Sequence, residues 1–173
     1  MKTIILVRHA KSSWKNPDLH DHDRPLNKRG ERDVVLMGEK LKERRTMPDR
    51  FLSSSAKRAR KTAKSIASAI GFPKGGILFD EYLYHATAAD LFALVRKQGD
   101  REERIMLCGH NNTFNDFANL LLEGKSIDNI PTTGVCAIGF HIDRWKKVET
   151  GKGELLFFDY PKRYREIGSF PTP

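Results

Sequence analysis

An alternation along the chain constrains its fold more than any single motif. Short apolar runs recur, and each is followed by a stretch whose apolar residues return at helical spacing. Thr3–Val7, Arg50–Ser53, Ile77–Phe79 and Arg104–Cys108 read as strands. After them come Val34, Met37 and Leu41, running on to Arg44 behind an N-cap at Asn27; then Ala59, Ala63, Ile66, Ala67 and Ile70. Leu91, Leu94 and Val95 follow Thr87 as a cap, and Phe114, Phe117, Ala118, Leu121 and Leu122 form the last such set. Strands alternating with helices predict a largely parallel sheet covered on both faces, a three-layer α/β/α sandwich. Val135–Ile142 and Glu154–Tyr160 read as an antiparallel pair at one edge, joined through a Gly-containing turn. Pro161–Pro173 reads as a basic, partly ordered tail, and the whole of 1–173 as one domain.

Parallel strands put their carboxyl ends on one edge of a sheet, where α/β folds bind ligands. Four ends here carry distinctive polar groups: Arg8-His9, Ser54 with Arg58 on the next helix, His85, and Gly109-His110-Asn111. The formal charge of +9 favours an anionic partner. Phosphoryl transfer fits these groups. Neutral imidazole is a nucleophile near neutral pH, since its pKa of about 6.5 leaves a lone pair free. The transferring phosphoryl group spreads charge over three oxygens, so its main need is positioned cations. Arg8 and Arg58 offer guanidinium forks to those oxygens. His110, protonated once phosphate is bound, adds a donor, and amides at the start of the Asn111 helix add more. Arg24, closing the polar loop 11–24, is a further candidate phosphate ligand or a partner of Asp23.

These residues resemble a known family. Arg8-His9-Ala10 is similar to the Arg-His-Gly motif of the histidine phosphatase superfamily, also called phosphoglycerate mutase-like. The segment from Ser54 to Thr62 resembles its Ser-Pro-x-x-Arg-Ala-x-x-Thr motif, and Gly109-His110-Asn111 its second histidine. Asp23-Arg24-Pro25-Leu26, Arg29-Gly30 and Leu83-Tyr84-His85-Ala86 resemble the short phosphohistidine phosphatase branch, the SixA type. The resemblance implies a phosphoglycerate mutase-like fold and His9 as nucleophile. Arg8, Arg58 and His110 would form the phosphate pocket, with Arg24, Ser54, Asn111 and His85 beside the substrate. It implies neither a metal nor an organic cofactor. Ala10 replaces the family's usual Gly and Ser55 its Pro. His85 stands where many members place a Glu as general acid, and Glu81 lies four residues earlier. Without that Glu, a phosphohistidine protein is the expected substrate, and a small phosphorylated metabolite the alternative.

Other readings compete. Asp18-Leu19-His20 with His22, Asp23 and Asp100 sketches a metallophosphoesterase ligand set, although Asp100 directly precedes a strand. A basic module that binds phosphoproteins without turnover is the non-enzymatic rival. Nucleic acid is not expected, because no recognition motif or aromatic interleaving accompanies the charge. Gly124-Lys125-Ser126 fails as a P-loop because Asn119 stands where its first Gly belongs, and Phe114 occupies the Arg position of a Cys108-headed phosphatase loop. Two cysteines, Cys108 and Cys136, indicate no disulfide framework and suit a reducing compartment. The first apolar run is too short for a signal core or a membrane span, so a cytoplasmic location is expected.

Overall fold

The computed structural model describes residues 1–167. Strand β1 (Lys2–Arg8) is followed by the loop 9–27 and helix α1 (Lys28–Glu43), then β2 (Arg50–Ser54), α2 (Lys57–Ile70) and β3 (Ile77–Asp80). Helices α3 (Tyr82–His85) and α4 (Ala88–Arg96) lead to β4 (Arg104–Gly109), α5 (Thr113–Leu121), β5 (Val135–Phe140), β6 (Glu154–Asp159) and α6 (Pro161–Ile167). One six-stranded sheet runs in the order β3-β2-β4-β1-β5-β6. Its first four strands are parallel, while β5 runs antiparallel to β1 and to β6. This is the expected three-layer α/β/α sandwich.

The pleat of β1 shows how the layers are held. Ile4 and Leu6 enter one core with Leu107, Leu91 and Phe117, under α4 and α5. Ile5 and Val7 enter the other with Met37, Ala63 and Ile66, under α1 and α2. All four β1 side chains are buried, each stabilising by about 1.5–3 kcal/mol. The expected caps form: Asn27 Oδ1 accepts from the Gly30 amide at 2.8 Å, and Thr87 with Asp90 makes a capping box. Gly30 is needed for a second reason. A Cβ there would lie 2.2 Å from the Lys11 carbonyl oxygen, so only glycine lets α1 start against the loop leaving β1.

Three elements differ from the sequence reading. Residues after β3 turn into the short helix α3, with Asp80 Oδ1 accepting from the Tyr82 amide at 2.9 Å. The β5–β6 connection is a long excursion, not a tight turn, because Trp145 dives into the core and donates its indole N–H to the Glu102 carbonyl at 2.8 Å. The start of the expected tail is helix α6, opened by Pro161 at its first position. It docks on α1: Arg165 bonds Asp33, and the Tyr164 hydroxyl donates to the buried Asp159 carboxylate, which Arg44 reaches at 2.9 Å. Residues 168–173 of the tail lie outside the described residues. Among the described residues no helix is long and apolar enough to cross a membrane.

Candidate active site

β1, β4 and β2 are neighbours, so the residues leaving their carboxyl ends meet. His9 follows β1 and is pinned by its amide, which donates to the Gly109 carbonyl at 2.9 Å. Its ring Nδ1 lies 2.8 Å from the Ala10 carbonyl oxygen. A carbonyl only accepts, so Nδ1 carries the proton and Nε2 holds the lone pair. That lone pair receives the Nε–H of Arg58 at 3.2 Å. His110 follows β4, with its ring centroid 5.1 Å from that of His9. Its Nδ1 lies 3.4 Å from Arg58 Nη2, a donor, so its own proton sits on Nε2 and goes to Ser54 Oγ at 2.8 Å.

Both imidazoles are neutral at neutral pH. Burial pushes His9 down to about 4, with Arg58 and Arg8 adding to the effect against the Ala10 carbonyl and Asp21. Burial pushes His110 down to about 3, aided by His9 and Arg58. A cationic His110 therefore needs the negative charge of a bound phosphate to offset that burial. In an NMR titration the His9 ring is expected to change protonation near pH 4 and His110 near pH 3; midpoints near 6.5 would contradict this. The unfolded rings titrate near 6.5, so between that pH and the folded values unfolding takes up protons. The stability these two rings contribute is thus intact above pH 6.5 and lost as pH falls towards 4 and then 3.

Two residues that the sequence reading did not single out complete the cluster. Asp21 sits in a short 3-10 turn, Asp21–Asp23. Its backbone oxygen accepts from Arg58 Nη1 at 2.5 Å, and Oδ2 from Arg58 Nη2 at 2.8 Å and the Tyr84 hydroxyl at 2.6 Å. Partial burial pulls its pKa up, but the bonds from Tyr84 and Arg58 prevail and hold it at about 2. Tyr84, on α3, sets its ring edge-on to His110 at 5.3 Å and to His22 at 5.1 Å. His22 in turn lies 2.9 Å from Ser55 Oγ, which clips the turn to the start of α2. The sequence signal for Asp21 is its place in an unusually long polar loop, and for Tyr84 its place in the segment Leu83-Tyr84-His85-Ala86.

The remaining candidates divide. Arg8 donates from Nη1 to the Ile130 carbonyl at 2.7 Å, while its Nε is buried without a partner. Asn111 donates to that carbonyl and to Asn129 Oδ1, both at 3.0 Å, so it braces the segment 129–130. Arg24 corrects one sequence alternative, the pairing with Asp23. It pairs with Asp21 at 3.0 Å, not Asp23, bonds Ser12 Oγ and the Ser13 carbonyl, and stacks on Trp14, so three of its five N–H donors hold the loop. Ser54 is buried and serves His110: its Oγ accepts from His110 Nε2–H and from the Ala56 amide. His85 is exposed and touches Tyr84 edge-on at 4.7 Å, one ring removed from His110. The metallophosphoesterase set fails on topology. Asp100 lies at the opposite edge of the sheet, where its carboxylate accepts from the Trp145 amide and its carbonyl from the buried Lys2 at 2.6 Å. Asp18 lies in the loop beyond the far end of β1, a strand about 20 Å long.

Residues 4–77 match the model of the histidine phosphatase superfamily (branch 1). An uncharacterized protein of Mycobacterium tuberculosis is 31% identical over 166 residues, covering 90% of this chain and 100% of the relative. A chloroplastic protein of Arabidopsis thaliana, also uncharacterized, is 35% identical over 134 residues, 73% of this chain and 61% of that protein's length. Among solved structures, one assigned to the phosphohistidine phosphatase SixA of Agrobacterium tumefaciens superposes with a TM-score of 0.77 at 26% identity, covering 92% of this chain and 98% of that one.

Proposed function

From the premise that the chain belongs to the histidine phosphatase superfamily, we propose that it is a metal-independent phosphatase that hydrolyses phosphohistidine on proteins. His9 Nε2 attacks phosphorus in line, a P–Nε2 bond forms, and the bond from phosphorus to the substrate imidazole breaks. Water then attacks the phosphoryl group, the P–Nε2 bond breaks, and phosphate leaves. The Ala10 carbonyl serves both steps. By holding the proton on Nδ1 it exposes the lone pair for attack, and it lets His9 depart as neutral imidazole in the second step. Arg58, Arg8 and a His110 protonated by the incoming charge stabilise the transferring oxygens. Asp21 yields its place on Arg58 to the phosphate.

One observation carries the choice of substrate. The carboxylate bonded into the cluster is Asp21, and hydrogen bonds hold it at about 2, so it has no proton to give near neutral pH. An alkoxide leaving group needs such a proton at the scissile oxygen. A phosphohistidine does not: the second nitrogen of its ring takes a proton from water near neutral pH, and the ring leaves as neutral imidazole. The test is phosphate release from a phosphohistidine protein and a sugar phosphate, side by side with chelator present. Turnover of the phosphohistidine at least about 100-fold faster, two decades or about 2.7 kcal/mol of barrier, is expected. Preference for the sugar ester would overturn the substrate and point to His85 or Glu81 as acid. Loss of activity in chelator would overturn the metal-independent mechanism.

A further inference from the structure

The first turns of α2 present a surface that the chemistry at His9 does not use. Lys57, Arg60, Lys61 and Lys64 are all exposed and spaced i, i+3, i+4 and i+7, so they form one stripe along the helix. The pairs Lys57/Lys61 and Arg60/Lys64 are like charges at i, i+4, which weakens a helix. Lys57 and Arg60 also lie in the first turn, which holds no acidic residue. Among the described residues, none of the four has a carboxylate within ion-pair distance. The stripe lines a groove of about 340 Å³ together with Pro25 and Leu26, which are apolar, and Glu31, one carboxylate against the four cations.

The groove adjoins the candidate site. Lys57 precedes Arg58, whose Nε meets His9, and Pro25 follows Arg24, which bonds Asp21. From Lys57 to Lys64 the helix rises about 10 Å, the span of roughly three residues of extended chain. We propose that this groove docks an acidic segment of the phosphoprotein substrate, lying within a few residues of the phosphohistidine. The inference rests on the proposed function and adds the chemistry of the partner. Carboxylates on that segment pair with the lysines, and its aliphatic groups lie on Pro25 and Leu26. A single-stranded nucleic acid suits the groove less well. None of the residues lining the groove is aromatic, so bases find no stacking face within it.

The test uses two phosphohistidine peptides of equal length, one with glutamates three to six residues from the histidine and one with serines there. At low salt the wild type is expected to show a KM about tenfold lower for the acidic peptide, the sum of several weak exposed pairs. The quadruple variant Lys57→Gln, Arg60→Gln, Lys61→Gln, Lys64→Gln should lose that difference while keeping kcat on phosphoramidate, and 0.5 M salt should do the same to the wild type. An equal KM for both peptides in the wild type, or a preference that survives in the variant, overturns the groove. Binding of the unphosphorylated, fluorescein-labelled acidic peptide separates this from the catalytic reading. If neither phosphopeptide is hydrolysed but the labelled peptide binds the wild type and not the variant, the groove stands and the phosphohistidine substrate falls. Tighter binding of an oligonucleotide of equal charge would overturn the acidic segment in favour of nucleic acid.

Discussion

Replacing His9 by Ala is expected to lower phosphate release by about 10⁵-fold or more, the scale set by removing a covalent nucleophile. The loss should fall on kcat, because the phosphate pocket proposed for Arg58, Arg8 and His110 is left intact in the variant. A labelled substrate adds a sharper readout. The wild type should carry acid-labile phosphate on protein during turnover, and His9→Ala none. Since the ring is polar and partly exposed, its removal should leave the melting temperature within a few degrees of the wild type. Residual activity above about 1% of wild type would assign the nucleophile to another group, with His110 the first to examine.

Arg58→Ala should be the next most damaging change, costing about 10³-fold in kcat/KM. Three functions meet in this one guanidinium: it donates to His9 Nε2, it reaches His110, and its outer nitrogens hold the backbone oxygen and the carboxylate of Asp21. Arg58→Lys is expected to recover no more than about tenfold, since an ammonium is a point charge without the planar fork. Steady-state kinetics on the same phosphohistidine substrate decides the matter. A loss below tenfold in Arg58→Ala would mean that Arg58 serves only to hold Asp21.

What could be read from the sequence follows from where each group sits. His9, Arg58 and His110 leave the ends of strands whose hydrophobic patterns are plain, and parallel order brings such ends together without knowledge of any side chain. Ser54 was placed correctly at a strand end, but its partner, His110, is fixed by side-chain geometry that periodicity does not encode. Asp21 escaped because its arrival depends on the path of a long loop, set by Arg24 bonding Ser12 and Ser13 and by Gly30 lying against Lys11. Tyr84 escaped with α3, a helix too short to show a period. The helix α6 did carry a signal, Pro161 at its first position, which the density of lysine and arginine around it obscured.

The tie between Asp21 and Arg58 makes ligand binding an exchange. Arg58 makes four hydrogen bonds, one to the Asp21 backbone oxygen and one to its carboxylate, so in the proposed reaction a phosphate arriving at Nη2 trades places with a resident carboxylate. The free energy gained is the difference between two anions on one guanidinium, which is far smaller than the attraction of either alone. A dianion wins that exchange by its second charge, whereas singly charged metabolites gain little over the carboxylate they displace. The same trade runs backwards when the product departs, as Asp21 re-forms its bonds to Arg58, Arg24 and Tyr84. In the proposed reaction, selectivity for charge and ready release of phosphate come from the same short turn.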